Sequence, residues 1–287
     1  MKATKQKKFY AVLLAPTLIF LGIFLLLPLI QLLILSFQQV DNFFEVIGGY
    51  TLGHYVEVLT TPVYLKTIWQ TLFVAVITTV ICLILAYPAA YLLVRSSKRW
   101  RAFFYILLVS PLLTSVVIRT FAWIILLAQN GLVNDVLMKT SIIDEPLDML
   151  WNMNAVIIAY VQVMLPFAVL PIATSMSDIK GNLRSASMIL GSNRIATFFR
   201  VTLPLTIPGM ISGAMIVFSL AAGSYITPLL VGGRMQPLLP LSIYQQIMQV
   251  YNLPLAAAMA FTLMVLVFLV IAVLGYILKK WEVRVNG

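Results

Sequence analysis

Six blocks of apolar residues, each long enough to cross a lipid bilayer, divide this chain, and the charges between them are sorted by sign. The blocks run over residues 9–35, 67–94, 103–128, 154–176, 209–231 and 254–278. A hydrophobic stretch of about 18 or more residues with few charges reads as a membrane-spanning helix, because the hydrocarbon core is about 30 Å thick. Each block must be helical, since lipid offers no partner to backbone N–H and C=O groups. Pro16, Pro28, Pro88, Pro111, Pro166 and Pro171 lie inside blocks and break the backbone ladder locally. A helical bundle tolerates this where neighbouring helices satisfy the freed groups.

The charges predict which way up the bundle lies. Lys2, Lys5, Lys7 and Lys8 precede block one; Arg95, Lys98, Arg99 and Arg101 join blocks two and three; Lys180, Arg184, Arg194 and Arg200 join blocks four and five; Lys279, Lys280 and Arg284 end the chain. Together these are 15 of the 19 basic residues, all on one face of a six-span topology. Lys66, Lys139 and Arg234 fall on the other face, with the acidic residues Asp41, Glu45, Glu57, Asp135, Asp144, Glu145 and Asp148. The positive-inside rule then predicts both termini in the cytoplasm. The net charge of +10 needs no nucleic acid, because topology accounts for it. The first block is too long for a signal-peptide core and no small-residue cleavage site follows it, so it reads as a retained span. One membrane domain, 9–278, is expected between a basic tail at 1–8 and a second tail at 279–287, with no sizeable soluble domain.

Several chemistries find no support in the residues. No G-x-x-x-x-G-K-[ST] phosphate loop occurs, so the chain is not expected to hydrolyse nucleotide by itself. His54 is the only histidine and has no Cys or His neighbours in sequence, so a solvated or loop-packing role fits it better than a metal site. Cys82 stands alone within block two and reads as a small core residue. No acidic residue lies within a block, which argues against a carboxylate proton relay. The chain looks like a passage for something whose energy source lies elsewhere. An ion-gradient-driven transporter or channel, and an assembly protein with no solute, remain as rivals from other classes.

One segment expected on the cytoplasmic side is long, residues 177–208. Leu183, Ala186, Ser187 and Leu190 recur at helical spacing, and Gly191 follows where a helix end often requires positive φ. Ser192 is expected to cap a second short helix, with Ile195, Phe198, Phe199 and Thr202 on its less polar face and Arg194 and Arg200 on its polar side. Pro204 and Pro208 are expected to stop that helix before span five. Such a helix pair either lies in the lipid interface or docks into a groove on another protein.

The run from Leu183 through Ser185, Ala186, Leu190 and Gly191, followed by Phe199, Arg200, Leu203, Pro204 and Gly209, resembles the cytoplasmic loop motif of binding-protein-dependent ABC importer permeases. Gly191, Leu203, Pro204 and Ala186 match it, while Ser185 and Ser187 replace the usual Glu and Ala. Thr51-Leu-x-x-Tyr55, Arg119-Thr-Phe-Ala-Trp123, Leu165-Pro-Phe167, Leu170-Pro171, Tyr225-Ile-Thr-Pro228 and Leu230-Val-Gly-Gly233 extend the resemblance to the spermidine/putrescine branch, which also includes opine permeases. The resemblance implies an all-α, six-helix, type I (MetI-like) importer bundle that passes a small organic solute, a polyamine or else an opine-like or amino-acid-like carboxylate. It implies that Leu183, Ser185, Ala186, Leu190, Gly191, Arg194, Phe199, Arg200 and Pro204 belong to the ATPase-coupling loop. It also implies a second homologous permease, an ATPase dimer that binds ATP and Mg, and a solute-binding protein delivering to outer loops that include the acidic stretch 135–148. No cofactor is expected in this chain itself.

Arg119, Tyr160, Gln162, Ser224 and Tyr225 are the candidate pathway residues. Arg119 is the one charge deep in a block, where it costs at least ~2.5–3.5 kcal/mol unless paired or wetted. It either contacts solute or bonds a carbonyl freed by a proline such as Pro111. Gln70, Asn154, Tyr160 and Gln162 either line a wet path or bond between helices. Ser224 stands near where polyamine permeases often carry an acid. Asp178 reads as a solvated charge. Aromatic residues at block ends, such as Trp69, Trp100, Trp151 and Trp281, fit the interfacial belt.

Overall fold

The computed structural model describes residues 13–179, 181–233 and 238–286. Among them, six helices are long and apolar enough to cross a membrane, in agreement with the six blocks. The described residues fall into two compact units, one within Met1–Tyr64 and Ile243–Thr262, the other within Leu65–Ser242 and Leu263–Gly287.

The first unit opens with α1 (Leu13–Leu35), whose apolar side chains are not buried within the chain. The all-α bundle carries one small β element here. An antiparallel hairpin follows, β1 (Gln38–Val40) and β2 (Val46–Tyr50), with Gly48 and Gly49 at positive φ. A two-stranded ribbon of this kind is too small to show against the long apolar blocks. Helix α2 (Gly53–Thr60) packs beneath it. The Ser36 and Tyr55 hydroxyls lie 2.7 Å apart, and the buried His54 ring meets the Gln38 carbonyl through Nε2 at 3.0 Å. His54 is thus a loop-packing residue.

The second unit holds most of the bundle. Its elements are α3 (Pro62–Arg95), which begins in the first unit, then α4 (Lys98–Val109), α5 (Val116–Leu127), α6 (Leu132–Lys139), α7 (Met153–Ser177), α8 (Gly181–Ile189), α9 (Arg194–Gly223) and α10 (Ile226–Val231). Two further helices are shared between the units: α11 (Leu239–Gln245) ends in the first, and α12 (Leu253–Asn286) starts there, capped by the Asn252 side chain, which accepts from the Leu255 N–H at 3.1 Å, and ends in the second. The core is the seam of α3, α7 and α9, built from small and medium residues such as Ala75, Cys82, Ala86, Ala168, Ile172 and Val217. Helices in lipid gain little from apolar burial, so they hold together by close packing, and small residues allow the closest approach. Gly209 and Gly213 show this: a Cβ on Gly209 would lie 2.5 Å from the Pro171 carbonyl, and one on Gly213 would lie 3.2 Å from Ala168.

Two block boundaries differ from expectation. Block three is interrupted and displaced: the chain leaves the helix between α4 and α5 at residues 110–115, and the membrane-length stretch runs over Val116–Lys139, not 103–128. Span five begins at Arg194, not near Gly209, and it runs through both Pro204 and Pro208. A widened turn at Phe198–Thr202 explains the first proline: the Leu203 N–H reaches five residues back to the Phe198 carbonyl. This shifts the ladder just ahead of Pro204, where the ring would otherwise clash with a carbonyl one turn earlier.

Candidate solute pathway and coupling segment

Two interruptions of the membrane helices open onto one cavity. At the first, the turn Ser110–Leu113 runs into extended Thr114 and Ser115, which leaves the Pro111 carbonyl only a long 3.4 Å bond from the Thr114 N–H in place of a helix bond. The Thr114 hydroxyl donates to that oxygen at 2.8 Å, and Arg119 Nη1 donates to it as well. At the second, α9 ends at Gly223 and extended Ser224 leads to α10. The buried Tyr160 hydroxyl reaches across from α7 and donates to the Ser224 carbonyl at 2.8 Å. Irregular backbone is tolerated at membrane depth where protein buries it or where it lines a wet cavity.

The cavity has a volume of about 330 Å³ and is lined by Leu112, Thr114, Arg119, Tyr160, Ser224 and Thr227, with Val163, Met164, Phe167 and Leu220 as apolar wall. At about 30 Å³ each, roughly ten waters would fill it. Arg119 Nε is buried without a hydrogen-bond partner among the described residues. The lining supplies hydroxyls, one guanidinium and backbone groups, but no His, Cys, Asp or Glu. Such groups can hydrogen-bond a bound molecule.

Three of the five candidate pathway residues, Arg119, Tyr160 and Ser224, therefore converge, although they come from three separate elements. Gln162 does not join them. It accepts from Trp123 Nε1 at 3.3 Å, an interhelical bond, and lines a separate apolar cavity with Phe104 and Pro111. Tyr225 precedes the first turn of α10, 37% exposed and off the cavity wall. Thr114 and Thr227 were missed by sequence reasoning, because the prolines near them, Pro111 and Pro228, do not by themselves say whether a helix kinks or ends.

The segment joining α7 to α9 has the expected helix–Gly–helix form. Gly191 sits at φ +86 in open space, so its backbone conformation, not crowding, calls for glycine. The Gly191 N–H bonds the Met188 carbonyl and the Ser192 N–H bonds the Ser187 carbonyl, the paired bonds that close a helix through a left-handed residue. The expected cap is one residue off. Asn193, not Ser192, caps α9, its side chain accepting from the Ala196 N–H at 2.7 Å. Its amide is spaced to reach an N–H three residues on, whereas the Ser192 backbone is still closing α8.

This segment presents apolar side chains outward. Ile189 and Leu190 are each 85% exposed, and Leu183, Ile195 and Phe199 also lie open. Ser185, Ala186, Arg194 and Arg200 are exposed beside them. The expected face of the second helix is split by the widened turn: Thr197, Phe198 and Thr202 turn inward, and Phe198 meets the rings of Tyr87 and Tyr91 edge-on. Pro204 lies within α9, where its carbonyl accepts from Trp281 Nε1 at 3.2 Å. Arg184 points inward, and burial, then the like charge of Arg95, holds its guanidinium below its ordinary pKa. Asp178 is exposed, as expected of a solvated charge; Lys180 lies outside the described residues.

The acidic stretch 135–148 is organised by Asn134, a residue that sequence reasoning passed over. Its buried amide donates to the Ala128 and Leu147 carbonyls and accepts from the Leu147 N–H at 2.9 Å. Asp135 pairs with Lys139 one turn along α6, 3.7 Å apart and exposed.

A bundle of this kind, with two interrupted helices around one cavity, has the fold of the MetI-like permeases. It resembles a chain of a bacterial ABC transporter involved in the import of the acidic polysaccharide alginate, with a TM-score of 0.77, 18% identity, and coverage of 97% of this chain and 98% of that one. It also resembles a chain of the MetNI methionine ABC transporter in an inward-facing conformation, at a TM-score of 0.60, 19% identity, and coverage of 76% and 95%. Residues 83–283 match the family of binding-protein-dependent transport system inner membrane components, and the chain belongs to that family. It is 31% identical over 266 residues, 93% of this chain and 92% of the relative, to the spermidine/putrescine transport system permease protein PotB of Salmonella typhimurium (strain SL1344). The chain is accordingly an inner-membrane translocation subunit of an ABC importer, a class that works with ATPase subunits and a binding protein.

Proposed function

We propose that this chain passes a polyamine-class solute, delivered by a binding protein, through the cavity of Arg119, Tyr160 and Ser224. Convergence of two helix interruptions on that cavity is the observation that carries the reading. Transporters build solute sites where helices are interrupted at membrane depth, and here the interruptions draw the Arg119 guanidinium and the Thr114 and Tyr160 hydroxyls to one place. The polyamine class rests on the similarity to PotB along nearly the whole chain. A second reading, a carboxylate-bearing solute such as an opine or amino acid, is favoured by Arg119, the one charge on the cavity wall.

The energy enters from outside the chain. The exposed segment around Gly191 docks against an ATPase dimer, which binds ATP and Mg. A homologous second permease faces this bundle across the pathway, and both termini lie in the cytoplasm, as the basic residues favour. Dimer closure on ATP draws the two coupling segments together and rocks the bundles to outward-open; hydrolysis resets them. The test is ATP-dependent uptake of labelled spermidine and putrescine in a host stripped of other polyamine importers, with and without this chain and its partner subunits. Uptake that requires the chain is expected. No uptake from an assembled complex overturns the polyamine class and turns the search to carboxylates.

A further inference from the structure

Three arginines converge where α3 ends and α9 begins. Arg95 is the last residue of α3, Arg194 the first of α9, and Arg184 lies on α8 between them. All three line one cavity of about 330 Å³, together with Tyr91, Thr197 and Phe198, and no acidic side chain lines it. Arg95 is partly accounted for, since its guanidinium lies 5.5 Å from the centre of the Tyr91 ring. Arg184 is not: its Nε and Nη2 are buried with no hydrogen-bond partner among the described residues. Buried donors of this kind cost free energy unless something accepts from them, and gathered like charges raise that cost. The cavity is therefore short of negative charge and of acceptor atoms at the same point.

We propose that this cavity is a binding site for a phosphate group. Guanidinium donors are arranged as rigid planar forks that suit tetrahedral oxyanions, and several can share one phosphate. Arg95 and Arg194 stand at the ends of two helices long and apolar enough to span a membrane, and basic pockets between such helices hold anionic headgroups. The depressed pKa of Arg184 follows from the same geometry, burial beside Arg95 with the counter-charge not supplied by the chain. The phosphate comes either from an anionic phospholipid or from free phosphate, and the two are separable by experiment. The site stands apart from the pathway cavity and does not depend on which solute is carried.

The test uses the full chain, purified in detergent and stripped of lipid, with thermal unfolding as the readout at constant ionic strength. One arm adds short-chain phosphatidylglycerol against phosphatidylcholine; the other adds inorganic phosphate against chloride. An upward shift in the midpoint is expected, reduced by about half or more in Arg184→Gln and retained in Arg99→Gln, whose residue is exposed outside the cavity. A shift with phosphatidylglycerol alone assigns a lipid headgroup; a shift in both arms assigns a site open to free phosphate. No shift in either arm overturns the proposal and leaves an acidic side chain of a partner protein as the missing charge. Equal shifts in wild type and Arg184→Gln overturn it too. Should Arg184→Gln fail to fold, Arg184→Lys and Arg194→Gln carry the same comparison.

Discussion

The pathway cavity and the Gly191 segment handle irregular backbone in opposite ways. Around the cavity, each broken helix end is answered from within the chain: Arg119 and Thr114 take the Pro111 carbonyl, and Tyr160 takes that of Ser224. Around Gly191 the backbone is satisfied locally, by the turn itself, while the side chains are left unburied. The first arrangement fixes a hollow inside a packed bundle. The second keeps a folded shape ready for a surface that another molecule provides. A transport subunit needs both, since one region must hold its form while the other must be free to be gripped.

The comparison can be broken most severely from the packed side. Gly209→Leu places a side chain where even a Cβ meets the Pro171 carbonyl at 2.5 Å. Overpacking costs about 1–3 kcal/mol and more where backbone must shift. The expected outcome is a sharp fall in membrane accumulation and in the unfolding midpoint of the purified chain. On the surface side, Gly191→Val forces a β-branched residue into a left-handed conformation, at a cost of about 1–2 kcal/mol. Because open space surrounds Gly191, the bundle is expected to assemble normally while ATP-driven uptake collapses. Equal damage to accumulation and uptake would show that the segment is structural and not a docking element. The smallest effect sharpens the cavity's account. Tyr160→Phe leaves the Ser224 carbonyl without its donor, a loss of about 1–3 kcal/mol if the oxygen stays dry. A shift in the unfolding midpoint near zero would instead mean that cavity water replaces the hydroxyl.

Sequence patterns reveal these two regions unequally. Six spans, the helix–Gly–helix segment and the isolation of Arg119 are all legible, because each leaves a mark in composition or spacing. Pro111 also signals that a carbonyl near it will be free, and Arg119 is found bonded to it. The second break is marked less plainly: Gly223 precedes it and Pro228 follows it, but neither fixes where the helix ends. Pro204 and Pro208 mislead in the other direction. They read as stops, yet a widened turn absorbs the first, and span five starts some 15 residues earlier than expected, at Arg194. Which pathway residues meet is a question of tertiary packing, so Gln162 and Tyr225 were grouped with Arg119, Tyr160 and Ser224 on type alone.

The central claim is that the cavity of Arg119, Tyr160 and Ser224 is the pathway, and that it opens alternately to the two sides of the membrane. Thiol labelling tests this most directly. Cys82 is the only native cysteine and is buried, so a Thr114→Cys probe in a Cys82→Ala background reports on the cavity alone. The assembled transporter in vesicles would be treated with a membrane-impermeant maleimide from each side, with and without trapped ATP. Labelling that switches sides with the nucleotide state is the predicted result. Labelling that is absent from both sides, or unchanged by ATP, would contradict the account.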